Sequence, residues 1–89
     1  MIRKELDIIN RLGLHARAAA KFVTCASRFE SHIQVEREGR RVNGKSIMGV
    51  MMLAAACGTR ITLELDGADA EQAAEALEVL VAERFGEPE

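Results

Sequence analysis

In Arg11-Leu-Gly-Leu-His15-Ala16-Arg17 a histidine lies two residues ahead of an arginine, directly before a stretch with helical apolar spacing. The first amides of a helix have no intrahelical acceptor and sit at the positive end of its dipole. An anion near His15 would therefore meet free N–H donors and the Arg17 guanidinium fork. The same positive end disfavours an imidazolium and favours a neutral ring whose lone pair can attack an electrophile. These residue types at this spacing describe a phosphate receiver with the histidine as nucleophile. A plainer alternative makes His15 a helix cap and Arg17 a solvated charge on the first turn.

Other candidates are weaker. Gly39-Arg-Arg-Val-Asn-Gly44-Lys45-Ser46 fits G-x-x-x-x-G-K-[ST], but a phosphate-binding loop of that kind joins a buried parallel strand to a long helix. Here the match spans a charged strand and a hairpin, so Gly39 and Gly44 are assigned to turns, Val42 to packing and Ser46 to a helix cap. His32 falls on the polar phase of a strand with no second ligand at metal spacing, and is read as an exposed strand histidine. Cys25 and Cys57 lie beside alanines with no C-x-x-C pair, which suits reduced, packed thiols. No metal and no cofactor is expected.

The elements that must position these residues follow from periodicity. Alternation of apolar and polar residues at Ile2–Ile8, Ile33–Glu36 and Ile61–Asp66 marks three strands. Glu38-Gly39 reads as a tight turn into a fourth strand over Arg40–Asn43, which makes a hairpin. Ala19, Phe22, Val23, Ala26 and Phe29 share one helical face, so the first helix is predicted over Ala16–Arg28. A second, Ile47–Ala56, follows Ser46 as its N-cap and ends at Gly58. The third opens at Asp69, with Gln72 completing a capping-box variant, and runs through Leu80 and Val81. The predicted class is α+β: an open-faced sandwich in the order β-α-β-β-α-β-α, with a four-stranded, mainly antiparallel sheet and three helices on one face.

At 89 residues the chain is expected to be one domain over 1–89, too small for a deep catalytic cavity. Twelve basic and fourteen acidic residues give a net charge of −2, so no positive field draws it to nucleic acid. Its aromatics, Phe22, Phe29 and Phe85, lie in or near helices rather than on a strand stacking platform. The longest apolar run, Val50–Cys57, cannot cross a bilayer, and charges alternate through the first residues. A cytoplasmic protein without membrane insertion is expected. The apolar second helix can bury only one side, and Ile47, Met48 and Met51 are assigned to the exposed one, a flexible surface suited to several partners.

Leu12-Gly13-Leu14-His15-Ala16-Arg17 and Asn43-Gly44-Lys45-Ser46-Ile47-Met48-Gly49-Val50-Met51, in a chain of this length and element order, resemble the HPr family, the histidine-containing phosphocarriers of the bacterial phosphotransferase system. The resemblance implies that His15 takes a phosphoryl group on Nδ1 from the phosphohistidine of enzyme I, phosphoenolpyruvate being the original donor. His15 then passes it to a histidine of an enzyme IIA. It implies that Arg17 and the amides of Ala16 and Arg17 hold the phosphoryl oxygens. It also implies that Ser46 is a site for an HPr kinase/phosphorylase, and that Ile47, Met48 and Met51 form a partner-docking patch on a monomer. A purely regulatory module of the nitrogen-type branch is the alternative. The sequence departs from the family where a proline usually follows the arginine, here Ala18, and where lysines often line the first helix, here Thr24 and Ser27. Docking is then expected to lean on Arg17, Arg28, Lys45 and the apolar patch.

Overall fold

The computed structural model describes residues 1–89. Strands β1 (Ile2–Asp7), β2 (His32–Arg37), β3 (Arg40–Asn43) and β4 (Arg60–Asp66) form one sheet in the order β1-β4-β2-β3, antiparallel at every pairing. Helices α1 (Ala16–Ala26), α2 (Ile47–Met52) and α3 (Ala70–Ala82) cover one face, and a 3₁₀ turn at Arg84–Gly86 follows. The class, the element order and the β2–β3 hairpin are those the sequence predicts. Glu38 and Gly39 both take positive φ (51° and 81°), as a type I′ hairpin turn requires.

The period-two strands sort their side chains as alternation demands. β4 lies between β1 and β2, so its inward residues Ile61, Leu63 and Leu65 are fully buried. They meet Phe22, Ala19 and Ala26 of α1, Ala73, Ala74 and Leu77 of α3, and Val50 of α2 in one continuous core. The outward face is laced with charge: Glu64 receives Arg3 (3.3 Å) and Arg41 (3.2 Å), and Arg60 reaches Asp7 (3.0 Å).

Helix ends depart from expectation where tertiary contacts intervene. α1 stops at Ala26, and the chain tightens into i→i−3 bonds from Arg28 to Cys25 and from Phe29 to Ala26 (both 3.2 Å) instead of continuing to Arg28. α2 stops at Met52 rather than Ala56, because its last carbonyls are taken from outside. Arg40 donates to Met52 O (3.1 Å), Arg37 to Leu53 O (3.0 Å), and the Leu14 amide to Ala55 O (2.9 Å). The residue past its cap in left-handed conformation is Ala54 (φ 51°), and Gly58 serves instead the entry to β4, its amide on Ile8 O (2.8 Å).

Asp69 precedes α3 as expected, but its side chain caps nothing in that helix. Its carboxylate accepts from the Glu30 amide (2.9 Å), the Ser31 amide (3.0 Å) and the Ser31 hydroxyl (2.5 Å), tying α3 to the α1–β2 turn. The thiols also differ from expectation: Cys57 is exposed, and Cys25 is half-buried, its pKa raised by desolvation.

Two outcomes follow. Ala54→Gly is expected to raise stability by up to about 1 kcal/mol by removing a Cβ from a left-handed position, read as a higher denaturation midpoint. The Ser31 hydroxyl and the Glu30 and Ser31 amides hold the Asp69 carboxyl below the usual range. The stability this confers is fully present above the unfolded value near pH 4 and is lost as pH falls from there through the lower native value. Thermal melts of Asp69→Asn are therefore expected to show a lower midpoint at neutral pH and a shallower fall below about pH 4 than wild type.

Candidate functional site

α1 starts where it does because His15 is extended (φ −73°, ψ 179°) while its carbonyl already accepts from the Ala19 amide (2.8 Å). The amides of Ala16, Arg17 and Ala18 are left without intrahelical acceptors at the positive end of the helix. Ala18 is fully buried and seats the first turn on the core.

The loop ahead of the helix is held rigidly. The Leu14 amide donates to Ala55 O and the Gly13 amide to Asn10 O (3.1 Å). Gly13 has φ +67°, and a Cβ built there would lie 2.4 Å from Ala55 O, so no other residue fits without moving the loop. Asn10 is fully buried and its Nδ2 donates to Gly13 O (2.8 Å), closing the loop across its own turn.

The His15 ring makes no capping bond, which removes the plainer alternative for its side chain. Its Nε2 lies 2.5 Å from an oxygen of Glu87, whose other carboxylate oxygen accepts from Asn10 Nδ2 (3.0 Å). The Asn10 amide, followed by the His15 ring and the Lys21 charge, holds the Glu87 carboxyl below the usual range against the opposing effect of burial. The ring thus lies between two opposing fields, the amide end of α1 and the Glu87 carboxylate.

Beside it opens a surface depression of about 560 Å³, bounded by Arg11, Leu12, Arg17 and the tail residues Glu87 and Glu89. Arg17 is exposed and takes part in none of the molecule's ion pairs, whereas Arg11 is engaged by Glu89 (3.1 Å). The arrangement can present a ring nitrogen to an incoming phosphoryl group, with one uncommitted guanidinium and the amides of Ala16 and Arg17 to receive its oxygens.

Ser46 lies apart from this cluster and shares no hydrogen bond with it. It caps α2, its hydroxyl accepting from the Gly49 amide (3.1 Å). Behind it Val50 and Leu53 are buried, while Ile47 (44%), Met48 (75%), Met51 (41%) and Met52 (59%) remain exposed. The expected patch is therefore extended by Met52. Thr24 and Ser27 are exposed on or beside α1, as sequence phase suggests. Two of the cations assigned to docking are engaged: Lys45 Nζ donates to Phe29 O (2.6 Å), and Arg28 lies over the Phe29 ring, 5.6 Å from its centroid.

Asn10 and Glu87 are missing from the sequence reading. The available signal was thin: a lone phenylalanine, Phe85, just beyond the last helical repeat, and two glutamates around Pro88. Such a tail reads as solvated unless Phe85 is known to be buried.

Similarity to known proteins points the same way. Residues 2–83 match the family described as PTS HPr component phosphorylation site. The chain is 54% identical over 89 residues to the phosphocarrier protein HPr of Cupriavidus necator, covering all of both chains. The crystal structure of HPr-C-His from Thermoanaerobacter tengcongensis superposes with a TM-score of 0.96 at 45% identity, also covering all of both chains. A dimer of HPr from the same organism gives 0.79 at 46% identity, covering 98% of this chain and 100% of that one. With the fold, the histidine-led helix and the serine-capped second helix all in place, the chain belongs to the HPr family of phosphocarrier proteins of the phosphotransferase system.

Proposed function

We propose that this chain carries a phosphoryl group on Nδ1 of His15, taking it from the phosphohistidine of enzyme I and giving it to a histidine of an enzyme IIA. The observation that carries the reading is the open lip at His15, where the ring stands beside the uncommitted Arg17 and the free amides of Ala16 and Arg17. A carrier must meet two partners in near in-line geometry, so its nucleophile belongs on a surface rather than in a cleft. Arg17 then neutralises the phosphoryl oxygens as a bidentate donor, and the amides add fixed dipoles. The working unit is proposed to be a monomer, and the transfer is assigned to the cytoplasm with its donors.

Ser46 is proposed as the regulatory position, open to an HPr kinase/phosphorylase. A phosphate there gains from the amide end of α2 but puts about −2 charge beside Ile47, Met48 and Met51, the surface proposed to dock partners together with Thr24, Ser27 and Lys45. Like charge and lost apolar contact both weaken association with an enzyme I surface of acidic character.

Incubation with phosphoenolpyruvate and enzyme I is expected to add one phosphate-sized mass to the wild type, acid-labile and alkali-stable, and none to His15→Ala. A wild type that stays unmodified, with folded protein and active enzyme I, overturns the carrier reading. Ser46→Asp is expected to slow the initial rate of phosphorylation by about tenfold or more while leaving the thermal midpoint near wild type. An unchanged rate removes Ser46 from regulation.

A further inference from the structure

Residues 85–89 form a strap across the His15 site, fastened at Phe85, Glu87 and Glu89. Phe85 is buried in the core, 1% exposed, and its carbonyl accepts from Lys21 Nζ (2.7 Å). Two residues further on Glu87 meets His15 and Asn10, and two further again Glu89 is held twice by Arg11. The Arg11 amide donates to the Glu89 carbonyl (3.0 Å) and its guanidinium to the Glu89 carboxylate (3.1 Å). Pro88 stiffens the link between the last two. Glu87 is therefore clamped from both sides, and its carboxylate is 13% exposed against 28% for the His15 ring.

We propose that Glu87 is a positioning residue for His15: its carboxylate accepts the Nε2–H, fixing the tautomer whose free lone pair is on Nδ1 and aiming that nitrogen at the incoming phosphoryl group. The inference rests on the carrier reading above and deepens it. Glu87 is an ionised acceptor with no proton to give, so the hydrogen between the two groups belongs to the ring. A neutral imidazole with hydrogen on Nε2 has its only lone pair on Nδ1.

In the transfer that lone pair forms the new N–P bond as the donor's P–N bond breaks, and the electron pair of the broken bond returns to the donor nitrogen. The Nε2 proton stays in place throughout, so the phosphorylated ring acquires positive charge. Glu87, already 2.5 Å away, neutralises that charge without rearrangement. Asn10, donating to the other carboxylate oxygen and to Gly13 O, keeps the carboxylate from rotating off the ring.

The charged groups that face this pair are Arg17 and Lys21 of α1, Arg11 of the preceding loop and Glu89 of the tail. Their positive members do not compete for Nε2, since an N–H donor cannot accept. They add attraction for the phosphoryl oxygens, which must approach on the Nδ1 side.

The test compares wild type, Glu87→Gln and Glu87→Ala. Nitrogen-15 NMR of the His15 ring reads the tautomer, and rapid-quench kinetics with phosphorylated enzyme I reads the transfer rate. Wild type is expected to hold a single tautomer with hydrogen on Nε2. Glu87→Ala is expected to give a tautomer mixture and transfer slowed by about tenfold. Glu87→Gln keeps a neutral acceptor and is expected to retain much of the tautomer preference while losing the charge effect, giving an intermediate rate. A purely structural role would lower the thermal midpoint of these variants without moving the ring's tautomer. An unchanged tautomer in Glu87→Ala, or an unchanged rate, overturns the proposal while phosphorylation of the wild type leaves the carrier reading standing. A wild type that accepts no phosphoryl group overturns both.

Discussion

The main-chain bond from the Leu14 amide to the Ala55 carbonyl, made over a glycine with no room for a Cβ, is the contact on which the site depends. It joins the loop before α1 to the segment after α2, so the two helices that carry His15 and Ser46 share one anchor. A buried unpaired amide would cost free energy comparable to a lost hydrogen bond, and the close approach at Gly13 removes the slack that would let the loop find another partner. The ring of His15, the free amides behind it and the Arg17 guanidinium keep their mutual positions because this loop cannot swing.

Around that anchor the structure spends charge in two ways. On the open face of the sheet, Arg3, Arg41 and Arg60 lie among Glu64, Glu36 and Asp7 in pairs that keep a face not covered by helices polar, and the exposed Arg60–Asp7 pair contributes little to stability. At the helix side, charges are held singly and aimed: Asp69 on the Ser31 turn, Lys45 on the Phe29 carbonyl, Glu87 on the His15 ring. The first two tie α3 and the segment before α2 to the end of α1, so that the same helix is fixed at its C-terminal end by side chains and at its N-terminal end by main chain. Arg17 beside the ring has no ion-pair partner, which is what an anion receiver must keep in reserve.

Much of the fold was legible before the structure. Strand positions followed from alternation at Ile2–Ile8, Ile33–Glu36 and Ile61–Asp66, and helix faces from the spacing of Ala19, Phe22 and Ala26 and of Ala73, Ala74 and Leu77, since burial of one face imposes those periods directly. The helix start at His15 and the Ser46 cap were equally local, set by residue types adjacent in sequence. The end of α2 was not, because the carbonyls of Met52, Leu53 and Ala55 are claimed by Arg40, Arg37 and Leu14 from other parts of the chain. Asp69 has a capping residue's composition and position, yet its carboxylate is committed to a turn 38 residues away in sequence.

The sequence by itself determined the class of fold, the histidine with its arginine at a helix start, and the apolar helix behind a serine, because each of these is written in residues within a turn or a strand of one another. The tertiary structure alone decided that β4 lies between β1 and β2, that Asn10 is buried, and that Glu87 returns across 72 residues to the ring of His15. These are long-range pairings, chosen by which complete packing buries Phe85 and pairs the Leu14 amide and Asn10 Nδ2 at once, and no local pattern of residues encodes that choice.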